Sequence, residues 1–123
     1  MNLSFNHKKI RLHGCILISL KTENNETGSL ILLLNDYADW EGAFLSISLN
    51  AGVLPGNEVK YISKTVAPTL DEVRSIGGFR TVPDYSFQTM PADYAALVLI
   101  GGMQWQSPES ELVVPIVQDA LQR

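Results

Sequence analysis

Apolar and polar positions along the chain fall into short blocks, and the clearest block is residues 30–34, LILLL, between Ser29 and Asn35-Asp36. Five apolar residues bounded by polar turn residues predict a strand buried on both faces. A helical pattern follows at once. Trp40, Ala43, Phe44, Ile47 and Ala51 recur at three- and four-residue spacing, which predicts an apolar stripe packed on a sheet. Asp36 is placed to cap this helix by accepting from the Asp39 N–H. Asp39 and Glu41, in its first turn, favour the helix dipole. Asn50-Ala51-Gly52 ends it, with Gly52 suited to a left-handed cap.

The pattern then changes period. Residues 58–63, EVKYIS, alternate and predict a second strand. Residues 64–72 read as irregular. β-forming residues at 73–76 and 79–82 flank Gly77-Gly78, a hairpin signal closed by Pro83-Asp84. Residues 94–100, YAALVLI, predict a third core strand that stops at Gly101-Gly102. Ser107-Pro108-Glu109 opens a helix. Leu112, Val113, Ile116, Val117 and Leu121 supply its apolar face, and Pro115 kinks or divides it. Strand, helix, strand, hairpin, strand, helix predicts an α/β fold with a mostly parallel sheet.

Another core strand is expected after the last helix, and Arg123 comes first. The 94–100 strand would then keep an open edge and the helix an uncovered apolar face. Both features predict self-association, as a homodimer. At the other end, residues 1–28 are expected to be a poorly ordered extension outside the domain, which is assigned to 29–123. Residues 21–28, KTENNETG, form a polar linker, although residues 10–20 could add one strand.

Composition narrows the setting. The chain has 123 residues, 46% hydrophobic and 18% charged, which suits one globular domain. Its net charge of −4 provides no basic face for nucleic acid. No apolar run approaches the roughly 20 residues that span a bilayer, and the apolar segment at 14–20 after a basic start lies at the bottom of the range for a secretory leader, with no small-x-small cleavage site after it. A single cysteine, Cys15, makes no internal disulfide, in keeping with a reducing cytoplasm. Two histidines and one cysteine make no zinc set. Gly77-Gly78 lacks the spacing of a phosphate-binding fingerprint, so neither metal nor cofactor is expected.

Two places carry candidate chemistry. A strand feeding straight into a helix puts Glu41 at the carboxyl end of a parallel sheet, where open α/β folds place their sites. An acid in a first helical turn also stabilises its helix whether or not it has another role. Gly101-Gly102, after another core strand, turns the chain sharply, and backbone N–H groups at such a turn can stabilise an oxyanion. Cys15, His7 and His13 lie in the extension, with no strand-to-helix elbow around them. Ser46 and Ser48 sit inside the helix without a nucleophile-elbow setting. Trp105, Tyr85 and Phe87 read as packing residues.

LILLLNDYADWEGAF, SIGGFRTVPDYSF and YAALVLIGGMQW, in that order, resemble the N-terminal half of the ThiJ/PfpI superfamily, also called DJ-one and related to class I glutamine amidotransferases. The likeness is strongest to a bacterial branch of intracellular proteases or amidases in which a D-W-E triplet opens the first helix. It runs from about residue 29 to 123. It implies part of a flavodoxin-like three-layer sandwich, truncated before the nucleophile elbow. It also implies that Glu41 matches the acid hydrogen-bonded to the nucleophilic cysteine, and that Gly102, with Gly101, matches the oxyanion glycine. A carboxyl that keeps its proton beside a thiolate can donate to it and hold the thiol pKa down. The family cysteine follows the next core strand, with a histidine after it in many members. Both would fall beyond Arg123, and Cys15 does not match them. The resemblance therefore implies cysteine-dependent hydrolase or amidase descent acting on a small molecule or peptide, with this chain inactive. A non-catalytic binding or stress-response module is the alternative.

Overall fold

The structure, a computed structural model, describes residues 9–12, 15–19, 28–51 and 62–122. Its main sheet has six strands: β1 (Lys9–Leu12), β2 (Cys15–Ser19), β3 (Ser29–Leu32), β4 (Ser63–Ala67), β7 (Tyr85–Ser86) and β8 (Ala96–Leu99). They lie in the order β1-β2-β8-β3-β4-β7. The four strands from β8 to β7 are parallel. β5 (Val73–Arg74) and β6 (Arg80–Thr81) form a separate antiparallel pair around Gly77-Gly78, as the two-glycine signal predicts.

Three layers follow from how the central strands alternate. Leu30, Leu32, Leu34, Leu97 and Leu99 point to one face, where Val113, Val117 and Ala120 cover them. Ile31, Leu33, Val98 and Ile100 point to the other, against Val73, Tyr37 and Leu45. The 30–34 run is therefore buried on both faces, every residue at 5% exposure or less. α1 (Asp39–Ala51) belongs to the second face. On the first face Pro108–Val113 forms a 3-10 helix that passes into α2 (Val114–Gln122). Pro115 sits at the second α2 position, where its missing N–H costs no helical bond, so the segment divides as the sequence predicts. Leu112, expected on the apolar face, is exposed.

Several expectations change. The stretch 1–28 does not stand outside the domain as a whole, because β2 pairs antiparallel with β8 and Ile18 is fully buried. The edge of β8 expected to be open is thus occupied. The second strand is described over Ser63–Ala67, so residues 64–67, expected to be irregular, belong to it; of the expected 58–63, residues 58–61 lie outside the described residues, as do Gly52, His7 and His13. β3 sets that register, pairing Ser29 with Ser63 and Leu32 with Val66. Asn50 fixes the strand's start: its side-chain amide donates to the Ser63 hydroxyl and its oxygen accepts the Ser63 N–H.

The largest departure is the orientation of α1. Trp40, Phe44 and Ile47 are 56%, 74% and 63% exposed, so the apolar stripe faces away from the sheet. The inward face is Glu41, Gly42, Leu45, Ser46 and Leu49, all half-buried. Gly42 explains the close approach, since a Cβ there would lie 3.3 Å from Ile100 Cδ1 and 3.6 Å from Ile31 Cγ2. The helix is turned so that Glu41 reaches the end of β8, which leaves its larger side chains outside.

Candidate functional site

β3 leads to α1 on one face of the sheet, and the neighbouring strand β8 leads to α2 on the other. Connections diverge at this point of the strand order, and a crevice opens at the carboxyl ends of the two strands. Two loops meet there, residues 35–38 after β3 and 101–104 after β8. They pair through backbone: Ala38 N–H donates to Gly101 O at 2.9 Å, and Met103 N–H to Asp36 O at 3.1 Å. On its other side the first loop pairs with the hairpin. Asp36 N–H donates to Arg74 O at 2.6 Å, and Ile76 N–H to Tyr37 O at 2.9 Å. The chain entering α1 is therefore held by main chain from both flanks.

Asp36 does not cap α1, which begins three residues later at Asp39. It adopts the left-handed conformation at φ 59°, one of the few non-glycine residues that tolerate it. Its carboxylate accepts the Gln104 side-chain amide at 3.0 Å. The Asn35-Asp36 break was legible as a turn, but its use as the anchor for the 101–104 loop was not.

Glu41 and Gly101 come together at this crevice. The Gly101 N–H donates to Glu41 Oε2 at 2.5 Å. A Cβ on Gly101 would lie 2.9 Å from that oxygen and 3.0 Å from Oε1, so glycine is what lets the carboxyl group dock. Gly101 and Gly102 are consequently not equivalent donors. The Gly101 N–H is engaged by Glu41, whereas the Gly102 N–H donates to none of the described residues. Gly102 is packed between the loops, where a Cβ would lie 2.5 Å from Asp36 O and 2.9 Å from Tyr37 Cα. Trp105 closes the underside, its indole N–H donating to Ile100 O at 2.7 Å.

Asp39, two residues before Glu41, has a structural task. Its Oδ2 accepts the Gly77 N–H at 2.8 Å, tying the hairpin turn to α1. Its carboxyl is held below the ordinary carboxylate range, chiefly by the Ser75 hydroxyl, which outweighs the opposing effect of burial, with a lesser contribution from this Gly77 bond. Cys15 lies on β2 one step beyond the Ile16–Leu99 pair, so its backbone stands level with the end of β8. Tyr85, Phe87 and Trp105 pack on the core. Two clefts, of about 180 and 200 Å³, flank α1 and the opposite end of the sheet, and neither is lined by Glu41, Gly101 or Gly102. Among the described residues no three His, Cys, Asp or Glu side chains gather to hold a metal. No described helix is long and apolar enough to cross a membrane.

Comparison with known proteins agrees with this arrangement. Residues 29–123 match the model of the DJ-1/PfpI family. A Bacillus subtilis relative described as an uncharacterized protease, YdeA, is 40% identical over 86 residues, 69% of this chain and 40% of that protein. Among solved structures, a DJ-1 superfamily protein of Agrobacterium tumefaciens superposes with TM-score 0.65 at 28% identity, over 79% of this chain and 49% of its own. A ThiJ/PfpI family protein of Bacillus anthracis also reaches 0.65, at 21% identity over 79% of this chain and 47% of its own, a likeness of fold. The chain thus spans about half the length of the proteins it matches or less. With the three motifs on one crevice and the family model covering everything from β3 onward, the chain belongs to the DJ-1/PfpI family.

Proposed function

We propose that this chain carries the acid and oxyanion side of a cysteine-dependent hydrolase or amidase site, and that the 123 residues alone do not turn over substrate. The observation that carries the reading is the docking of Glu41 on the Gly101 N–H beside the open Gly102 N–H. In this reading Glu41 is the group that hydrogen-bonds a nucleophilic thiol, and Gly102 donates to the oxyanion that forms when the thiol attacks a carbonyl. Gly101 acts through Glu41 as a positioning residue. The protease name of the 40%-identical relative supports a hydrolytic chemistry on peptides. A cytoplasmic setting suits a site that depends on a reduced thiol.

The test is an assay of the 123-residue chain with thiol-dependent ester, amide and glyoxal substrates, beside Glu41→Ala and Cys15→Ser. No turnover above buffer is expected. Turnover abolished by Glu41→Ala would contradict the claim of inactivity, and its loss in Cys15→Ser would identify the thiol responsible. In a longer relative carrying the cysteine, Glu41→Gln at the matching position is expected to lower kcat/KM by about 10²-fold, the scale of an acid–base contribution. An unchanged rate there would favour a binding module instead.

A further inference from the structure

The path of the chain around the sheet singles out one position at its edge. β3 passes through α1 to β4, its parallel neighbour on one side, and β8 is its parallel neighbour on the other. α1 belongs to the second face, and α2, which follows β8, covers the first. Connections between parallel strands are right-handed. A right-handed connection over the second face moves from β3 toward β4, so one over the first face moves the opposite way. From β8 through α2 it therefore leads away from β3, to the position on the far side of β8. β2 stands in that position. It fills it as a core strand does, but antiparallel, from Ile16 opposite Leu99 to Ser19 opposite Ala96. Ile18 is fully buried. Ile16 packs with it on the α2 side of the core, and Leu17 packs on the other face. Yet β2 lies outside the family match, which begins at residue 29, and the polar stretch 21–28 separates it from β3.

We infer that β2 is a replaceable strand: it holds the β8 edge antiparallel, and it gives way to a parallel apolar strand that reaches the same edge over α2 from polypeptide completing the domain. The occupant is apolar throughout because this position is buried on both faces. It comes from polypeptide of the family's own kind, since the proteins this chain matches have at least as much again of their own length. The exchange conserves the hydrogen bonding of β8, whose outward N–H and C=O groups pair with whichever strand is present. Until the exchange, β2 shields an edge that would otherwise recruit other chains. The exchange also changes what reaches the crevice. Antiparallel β2 brings its first residue, Cys15, level with the end of β8. A parallel strand brings its last residue there instead, with the turn that follows it, beside Glu41 and Gly101. The inference stands on sheet order and handedness and does not depend on the hydrolase reading.

The test fuses, after Arg123, the part of the Bacillus subtilis relative that follows its 86 matched residues. This longer chain and the 123-residue chain are compared with and without residues 1–28. Removing residues 1–28 is expected to lower the urea midpoint of the 123-residue chain and to leave that of the longer chain unchanged. The amides of residues 16–19, protected from hydrogen exchange in the 123-residue chain, are expected to lose that protection in the longer one. A midpoint lowered equally in both chains would overturn the inference, as would protection of 16–19 that persists in the longer chain. A second measurement needs no variant and decides the matter if the fusion does not fold. In native-state hydrogen exchange of the unmodified chain, β1 and β2 are expected to open together at lower denaturant than β3 and β8, as a separable unit. Amides of β2 that exchange only in step with those of β3 and β8 would overturn the inference.

Discussion

Replacing Gly102 by alanine perturbs the crossing of the two loops and little else. Conformation is no obstacle, since Gly102 is extended with φ 169°. The obstacle is space: the added Cβ would stand 2.5 Å from Asp36 O and 2.9 Å from Tyr37 Cα. Those are main-chain atoms, held on their far side by the Asp36–Arg74 and Ile76–Tyr37 bonds, so they cannot swing aside as a side chain would. The loops must separate, which breaks the Met103–Asp36 and Ala38–Gly101 hydrogen bonds. Each is worth about 1 kcal/mol net, and forcing a methyl group into a filled space adds about 1–3 kcal/mol. The expected loss is about 3–5 kcal/mol, a large share of the stability of an ordinary domain. Urea unfolding followed by tryptophan fluorescence measures it, as a lower midpoint with unchanged slope. A loss below about 1 kcal/mol, on the scale of an ordinary surface substitution, would show that the loops do not cross at Gly102 as described.

Two further outcomes test other parts of the account. Ile18→Ala is expected to cost about 2–4 kcal/mol, because Ile18 is fully buried beside β8 and large-to-small changes in a core cost that much. A neutral result would return the first 28 residues to the role of an extension. Asp39→Asn is expected to remove an acid-sensitive part of stability. Because folding lowers the Asp39 pKa, its contribution is complete above the unfolded-state value and is lost as pH falls through the folded one. Unfolding midpoints of wild type and variant should therefore converge at low pH, and a gap that stays constant down to pH 2 would refute the assignment.

The features that carry the site were legible because local signals and tertiary structure agree there. The 30–34 run and residues 94–100 are apolar at every position that the sheet buries. The two glycines stop β8 where a carboxyl group must approach, and the acid at 41 lies in a first turn as its spacing implies. The α1 face was not legible, for a physical reason. Periodicity identifies an apolar stripe but not its direction, and here contact is decided by what is absent: Gly42 has no side chain and so lets the helix lie on Ile100 and Ile31. β4 extends to Ala67 because alternation continues into Thr65 and Val66, where pairing with β3 holds the strand. β2 is masked in the sequence by the polar segment after it, which has the composition of a boundary. Its place beside β8 is a long-range pairing that no local pattern encodes. The roles of Asp36 and Gln104 were hidden for the same reason.

The central claim is that Glu41 docks on the Gly101 N–H at the carboxyl ends of β3 and β8. The Gly101 amide resonance reports it directly. In a ¹H–¹⁵N spectrum that proton is expected well downfield, as befits donation to a carboxylate oxygen at 2.5 Å. It should move upfield in Glu41→Ala. A Gly101 amide whose position is unchanged by Glu41→Ala would contradict the account.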